Sequence, residues 1–179
     1  MACDLTCIIT GHREGRLSVA SLRSFQIAVS FARSKGYAIE TIFCLDRPDD
    51  LTHRIFEEWC SADGLLQVYD FGDQGKVRNE AVTKATGHYT AFLDADDLIS
   101  ENWLAEGCKM LAAARDAGER RIVHPELNWL FYGAKSVYFK PDQDDRMFTP
   151  WYFYAMNYYD SMGLAPREAH LEIPYASRD

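Results

Sequence analysis

The sequence predicts an α/β chain with a mainly parallel sheet covered by helices on both faces, and three observations carry that expectation. Short β-rich apolar runs alternate with helix-spaced ones, the connections between them are short, and polar groups gather where the strand-like runs end. Sheets of this kind bind ligands at the C-terminal ends of their strands.

The elements follow in order. Leu5–Ile9 is a short apolar run that exits through Thr10-Gly11. From Leu17 to Lys35 the residues Leu22, Phe25, Val29 and Ala32 recur at helical spacing, and Gly36 is the stop. Ile39–Leu45 is a second strand, ending in Asp46-Arg47-Pro48. Asp49 or Asp50 caps a helix with Leu51, Ile55, Phe56 and Trp59 on one face. Leu65–Phe71 is a third strand. The turn Gly72–Gly75 leads to a helix from about Lys76 to Thr86, closed by Gly87. Tyr89–Leu93 is the fourth strand, followed by the tetrad Asp94-Ala95-Asp96-Asp97 and a helix from Glu101 to about Ala117.

After Gly118 the pattern changes. Ile122–Pro125, Trp129–Tyr132 and Ser136–Lys140 read as short strands, and the aromatic stretch Pro150–Asn157 as a helix or a buried loop. Lys140–Thr149 is acidic and expected to be exposed. No repeat or linker interrupts the chain. The expectation is therefore one domain over 1–179, with a ligand-binding part at about 1–118 and a short-stranded aromatic part at about 119–179.

Composition narrows the function. The 179 residues suffice for one sizeable core, and 47% hydrophobic with 26% charged residues is ordinary globular composition. A net charge of −8 disfavours a nucleic-acid partner. No apolar run reaches the ~18 residues of a membrane span, and no secretory leader is visible. Cys3, Cys7, Cys44, Cys60 and Cys108 are scattered, without zinc-like spacing. Reduced thiols in a cytoplasmic protein are expected.

The tetrad carries the most chemistry. Carboxylates crowded at a strand end repel one another, and a divalent cation with a taste for hard oxygen ligands removes the conflict. Such a metal then takes the diphosphate of a nucleotide. The alternative is an acidic loop that caps the next helix through Asp97 or Ser100. Lys76-Val77-Arg78-Asn79 opens a helix beside a Gly-bounded turn, where free N–H groups and a positive dipole end suit an anion. Solvated charges on an amphipathic helix are the alternative there. Asp46 fits hydrogen bonding to a nucleobase or ribose, or the turn before Pro48. His12, Arg13 and Glu14 lie on the first strand's exit loop. His124 reads as a structural strand-end histidine, with metal ligation as the alternative.

Together, Leu5–Glu14, Ile42–Asp46, Gly75–Asn79 and Ala85–Asp97 resemble family 2 glycosyltransferases, which have the GT-A fold, a Rossmann-like three-layer α/β sandwich. The likeness runs from about residue 5 to 105 in the family's order. The Asp-x-Asp motif of the tetrad is its most specific part and the Arg78-Asn79 helix start the second. The first loop departs, reading Thr10-Gly-His-Arg-Glu14, and the second strand ends in one aspartate where the family has two.

The resemblance implies that Thr10, His12 and Glu14 line a nucleotide pocket and that Asp46 binds the base, usually uracil. Lys76 and Arg78 would approach the diphosphate or donor sugar. Asp94, Ala95 and Asp96 would flank the diphosphate, with Mn²⁺ or Mg²⁺ held by Asp96 and Asp94. The reaction implied is inverting transfer from a UDP-sugar to a glycan or lipid-linked glycan. Cell-envelope polysaccharide synthesis at the inner face of a membrane would be its setting. The family's base is the aspartate of a Glu-Asp pair, and the sequence holds no such pair. Asp144 and Asp145 are the nearest substitutes, and the tail Ala165–Tyr175 resembles the run that precedes the missing region. The chain thus reads as ending before its base, or as a nucleotide-sugar-binding domain without catalysis. A nucleotidyltransferase would want a Gly-rich basic loop after the first strand, of which Gly11–Arg16 is a faint version.

Overall fold

The structure, a computed structural model, describes residues 3–60, 64–130, 136–140 and 162–176. Strands β1 (Leu5–Gly11), β2 (Ile39–Asp46), β3 (Gly64–Tyr69) and β4 (Tyr89–Asp94) alternate with helices α1 (Ser18–Ser34), α2 (Asp50–Trp59), α3 (Gln74–Lys84) and α4 (Trp103–Asp116). A hairpin of β5 (Leu127–Leu130) and β6 (Ser136–Phe139) follows, then β7 (Leu164–Pro166) and α5 (Arg167–Glu172). The main sheet has the order β3-β2-β1-β4-β7. Its first four strands are parallel and β7 runs antiparallel to β4.

Alternation along the strands sends side chains into two cores. Leu5, Cys7 and Ile9 of β1 pack with Leu22, Phe25 and Val29 of α1, Phe56 of α2 and Leu104 of α4. Ile8, Ile42, Cys44 and Phe92 face the other way, onto Val77, Ala81 and Val82 of α3. Every strand of this parallel stack except the edge strand β3 is buried almost throughout, as helices on both faces require. No disulfide joins the five cysteines, all among the described residues, and burial pushes the Cys44 thiol up to about 12.

Several boundaries differ from the sequence reading. Helix α3 begins two residues earlier than expected, at Gln74, because Asp73 caps it by accepting from the Lys76 N–H at 3.0 Å. Gly87 does not close that helix. A Cβ there would lie 2.5 Å from the Thr6 nitrogen, so Gly87 lets the chain pass against β1. Neither Asp97 nor Ser100 is the N-cap of α4, which is Asn102 and makes no side-chain cap bond. In α2 the cap is Asp49, accepting from Thr52 N–H at 2.7 Å. Of its expected face only Phe56 is fully buried, and Leu51 is 41% exposed.

The C-terminal part differs most. Ile122–Pro125 forms no strand beyond a bridge from Val123 to Leu164, and the strand expected at Trp129 begins at Leu127. Strand β7 and helix α5 were not expected from sequence, and they join the sheet and its α3 face. Residues 141–149, which include Asp144 and Asp145, and the aromatic stretch Pro150–Asn157 lie outside the described residues.

Candidate functional site

The C-terminal ends of β1, β2 and β4 meet the start of α3 in one cleft of about 540 Å³. Thr10, His12, Glu14, Asp46, Asp94 and Asp96 all line it, so residues far apart in sequence converge there. Parallel pairing is the reason: Thr10 of β1 sits level with Cys44 on one side and Asp94 on the other.

Asp46 is 8% exposed and both its oxygens accept backbone N–H groups of the β3–α3 loop. Oδ1 accepts from Phe71 at 2.8 Å and Oδ2 from Asp73 at 3.1 Å. The carboxylate therefore holds the loop that presents the start of α3. Arg47 follows at a positive φ of 50°. Its guanidinium pairs with Asp70 and lies over Gly72, where a Cβ would come within 2.3 Å of Nη1. Gly72 is needed for its left-handed conformation, with φ at 65°.

Asp94 is held by side chains. Its Oδ1 accepts from Thr10 Oγ1 at 2.8 Å, Gln74 Nε2 at 2.8 Å and Arg78 Nη2 at 2.6 Å. Arg78 is only 7% exposed and lies beneath the cleft, not on its lining. Its guanidinium lies against the rings of both Phe92 (5.8 Å) and Tyr175 (5.2 Å). Ala95 is buried, with its N–H bonded to the Thr10 carbonyl at 2.9 Å, which leaves Asp96 exposed on the cleft.

The β1 exit loop folds back on α2. His12 Nδ1 faces the Asp46 carbonyl, so the neutral ring carries its proton on Nδ1 and keeps Nε2 as an acceptor. The His12 N–H donates to Glu14 Oε2 at 2.6 Å, and the Gly15 N–H to Thr52 Oγ1 at 2.9 Å. That last bond ties up an amide which a phosphate-cradling loop would need free. Lys76 does not line the cleft.

A divalent cation fits the donor set in one way. No cluster of three His, Cys, Asp or Glu side chains is gathered among the described residues, so a cage built of protein alone is not present. Two hard-oxygen carboxylates on one cleft, Asp94 and Asp96, suit Mg²⁺ or Mn²⁺ that keeps waters and takes substrate phosphates. Asp94 Oδ1 is already bonded to three donors, whereas Asp96 stands exposed on the cleft.

Sequence reading missed Gln74, Asp73, Arg47 and the Tyr175–Asn79 contact. Asp73 was findable, as an aspartate before a helical run is a cap signal. The others depend on contacts between distant segments.

The sequence profile described as glycosyl transferase family 2 matches residues 18–170. No curated protein matches the sequence. Among solved structures, S. aureus TarS 1-349 in complex with UDP-GlcNAc aligns with a TM-score of 0.67 at 18% identity, over 97% of this chain and 49% of that one. The mannosyltransferase PcManGT from Pyrobaculum calidifontis, in complex with GDP-Man and Mn²⁺, aligns at 0.51 and 22%, over 63% of this chain and 33% of that one. A 4-diphosphocytidyl-2C-methyl-D-erythritol synthase from Anaerococcus prevotii DSM 20548 aligns at 0.55 and 14%, over 96% and 75%. These likenesses establish the shared α/β fold. The chain spans about half the length of the TarS structures it matches.

Proposed function

The chain belongs to glycosyl transferase family 2, and from that premise we propose that it transfers a sugar from a UDP-sugar to a hydroxyl of a glycan or lipid-linked glycan, inverting the anomeric centre, with Mn²⁺ or Mg²⁺ at the diphosphate. The observation that carries this reading is the exit of β4. Asp94 is immobilised by Thr10, Gln74 and Arg78, while Asp96 stands exposed on the same cleft. The TarS complexes with UDP-GlcNAc and UDP support the choice of UDP, and the Mn²⁺ complex of PcManGT supports the metal.

In this reading the acceptor oxygen attacks the anomeric carbon as its proton passes to a base. The bond to the diphosphate breaks, and the diphosphate leaves with the electron pair. Asp96 would hold a divalent cation, which would supply charge neutralisation at the departing diphosphate, and Asp94 fixes the loop that carries Asp96. His12 Nε2 and Glu14 accept from ribose or base N–H and O–H groups. Asp46 shapes the base end of the cleft through the backbone of Phe71 and Asp73. Lys76 contributes positive charge at the start of α3. No role is assigned to Asp144 or Asp145.

Calorimetric titration of UDP with and without Mn²⁺ tests the reading. Wild type should bind UDP only with the metal, and Asp96→Ala should abolish that binding while the fold persists. Wild-type protein that shows no metal-dependent UDP binding would sink the proposal. The absence of a Glu-Asp pair favours a second reading, nucleotide-sugar binding without transfer. Measurable sugar transfer or donor hydrolysis by the 179-residue chain would rule that out.

A further inference from the structure

We propose that Tyr175 is a positioning residue for the nucleotide-sugar site, acting through Arg78 to keep Asp94 and the Asp96 loop in place. The inference rests on the reading of the cleft given above. Residues 173–176 cross α3 on the far side of the sheet from α1. There the Tyr175 main chain is fixed to one side chain by a reciprocal pair of bonds. Asn79 Nδ2 donates to the Tyr175 carbonyl and the Tyr175 N–H donates to Asn79 Oδ1, both at 2.9 Å. The Ala176 carbonyl lies so close over Gly75 that a Cβ there would meet it at 2.8 Å. The segment is therefore seated on the first turns of α3.

This seating puts the Tyr175 ring 5.2 Å from the Arg78 guanidinium, with Phe92 5.8 Å away and its ring edge-on to Tyr175 at 5.7 Å. His170 stacks on Tyr175 at 6.0 Å and bonds Thr90 Oγ1 through Nδ1 at 2.6 Å, anchoring the cluster to β4. Arg78 has a single bond to a carboxylate, the one to Asp94, and its buried Nε meets no hydrogen-bond partner among the described residues. A long side chain with so few polar tethers keeps its position through the rings around it. The rings thus fix the guanidinium, the guanidinium fixes Asp94, and Asp94 fixes the loop that carries Asp96.

The test compares Tyr175→Ala, Tyr175→Phe, Asn79→Ala and Arg167→Ala. Arg167, at the start of α5, anchors that helix at the other end of α3 through the carbonyls of Val82 and Thr83. The first readout is hydrogen exchange of the Arg78 Nε–H by NMR, which needs no nucleotide. The second is the dissociation constant of UDP at saturating Mn²⁺. Slow exchange should persist in wild type, Tyr175→Phe and Arg167→Ala. It should be lost in Tyr175→Ala and speeded in Asn79→Ala, with UDP affinity reduced at least tenfold in Tyr175→Ala alone among the two Tyr175 variants. A protected Arg78 Nε–H in Tyr175→Ala overturns the inference, as does equal UDP affinity in Tyr175→Ala and Tyr175→Phe. If wild type binds no UDP, the functional reading fails and the exchange readout still decides the role of Tyr175.

Discussion

Asp46 ends β2 and Asp94 ends β4, with β1 between them. Asp46 binds backbone, one N–H to each oxygen. Asp94 binds side chains, three donors on one oxygen. Backbone amides cannot leave without moving the chain, so the β2 exit is a structural brace for the loop before α3. Side-chain donors from β1 and α3 fix the β4 exit, so its carboxylate depends on side-chain packing and not on a loop's main chain. Equivalent aspartates on one sheet edge therefore divide the work: one sets the shape of the cleft, the other stands two residues before the exposed carboxylate of Asp96 on that cleft.

The largest test of this division is Asp46→Ala. It strips two buried N–H groups of a charged acceptor and should cost about 3–6 kcal/mol in urea unfolding, at roughly 1.5–3 kcal/mol per bond. UDP affinity should fall with it by about 1–3 kcal/mol as the loop shifts. An Asp46→Ala protein as stable as wild type would break the comparison.

Acid should act on the β4 side. Burial, with Arg78 adding positive charge, pulls the His170 imidazole down to about 4, and Tyr175, Phe92 and Thr90 also face it. The unfolded chain takes up this proton near pH 6.5, while the folded chain resists until about 4. The stability contribution is therefore complete above about pH 6.5 and is lost as pH falls towards 4, by roughly 3 kcal/mol at about 1.4 kcal/mol per pH unit. Urea midpoints of wild type and His170→Phe at pH 7 and pH 4.5 check it. The gap should close or reverse in favour of the variant at the lower pH.

Asp94→Asn keeps an acceptor oxygen for Thr10, Gln74 and Arg78 but leaves the buried guanidinium without its counter-charge. About 2 kcal/mol should be lost in the same assay, within the roughly 1.5–3 kcal/mol of one charged hydrogen bond. A loss equal to that of Asp46→Ala would mean that the two exits are built alike. The smallest effect belongs to Asp96→Ala. An exposed carboxylate among like charges supports little, so stability without metal should stay within about 0.5 kcal/mol or rise. A large drop would place Asp96 in the brace and not at the ligand.

Much of this was legible in the sequence because it is local. Leu22, Phe25, Val29 and Ala32 are all buried in α1, as their spacing requires, and the four parallel strands stand where apolar runs alternate with helices. The polar groups after those runs do meet in one cleft, since parallel strands all end on one edge. Less was legible where a partner lies far along the chain. Nothing near Asp46 announces that Phe71 and Asp73 donate to it, and Gly87 looks like a helix stop until Thr6 is seen against it. Strand β7 is three residues long and ends in proline, too short to show a period, and it pairs with a strand some seventy positions earlier. The hairpin face of Leu127, Trp129, Val137 and Phe139 alternates as a strand should, yet all four side chains are exposed, so the pattern alone misplaces them in a core.

The late return of the chain to β4 also sets an order of events. Strands β1 to β4 and their helices can form from contacts within the first 118 residues, whereas β7, α5 and the ring of Tyr175 wait for a loop of long sequence separation to close. Until it does, the sheet exists but Arg78 has only the Phe92 ring against it. In refolding, secondary structure should therefore recover before nucleotide binding. The inner support of the cleft is completed after the sheet, and cleavage just before β7 would leave the first four strands folded without it.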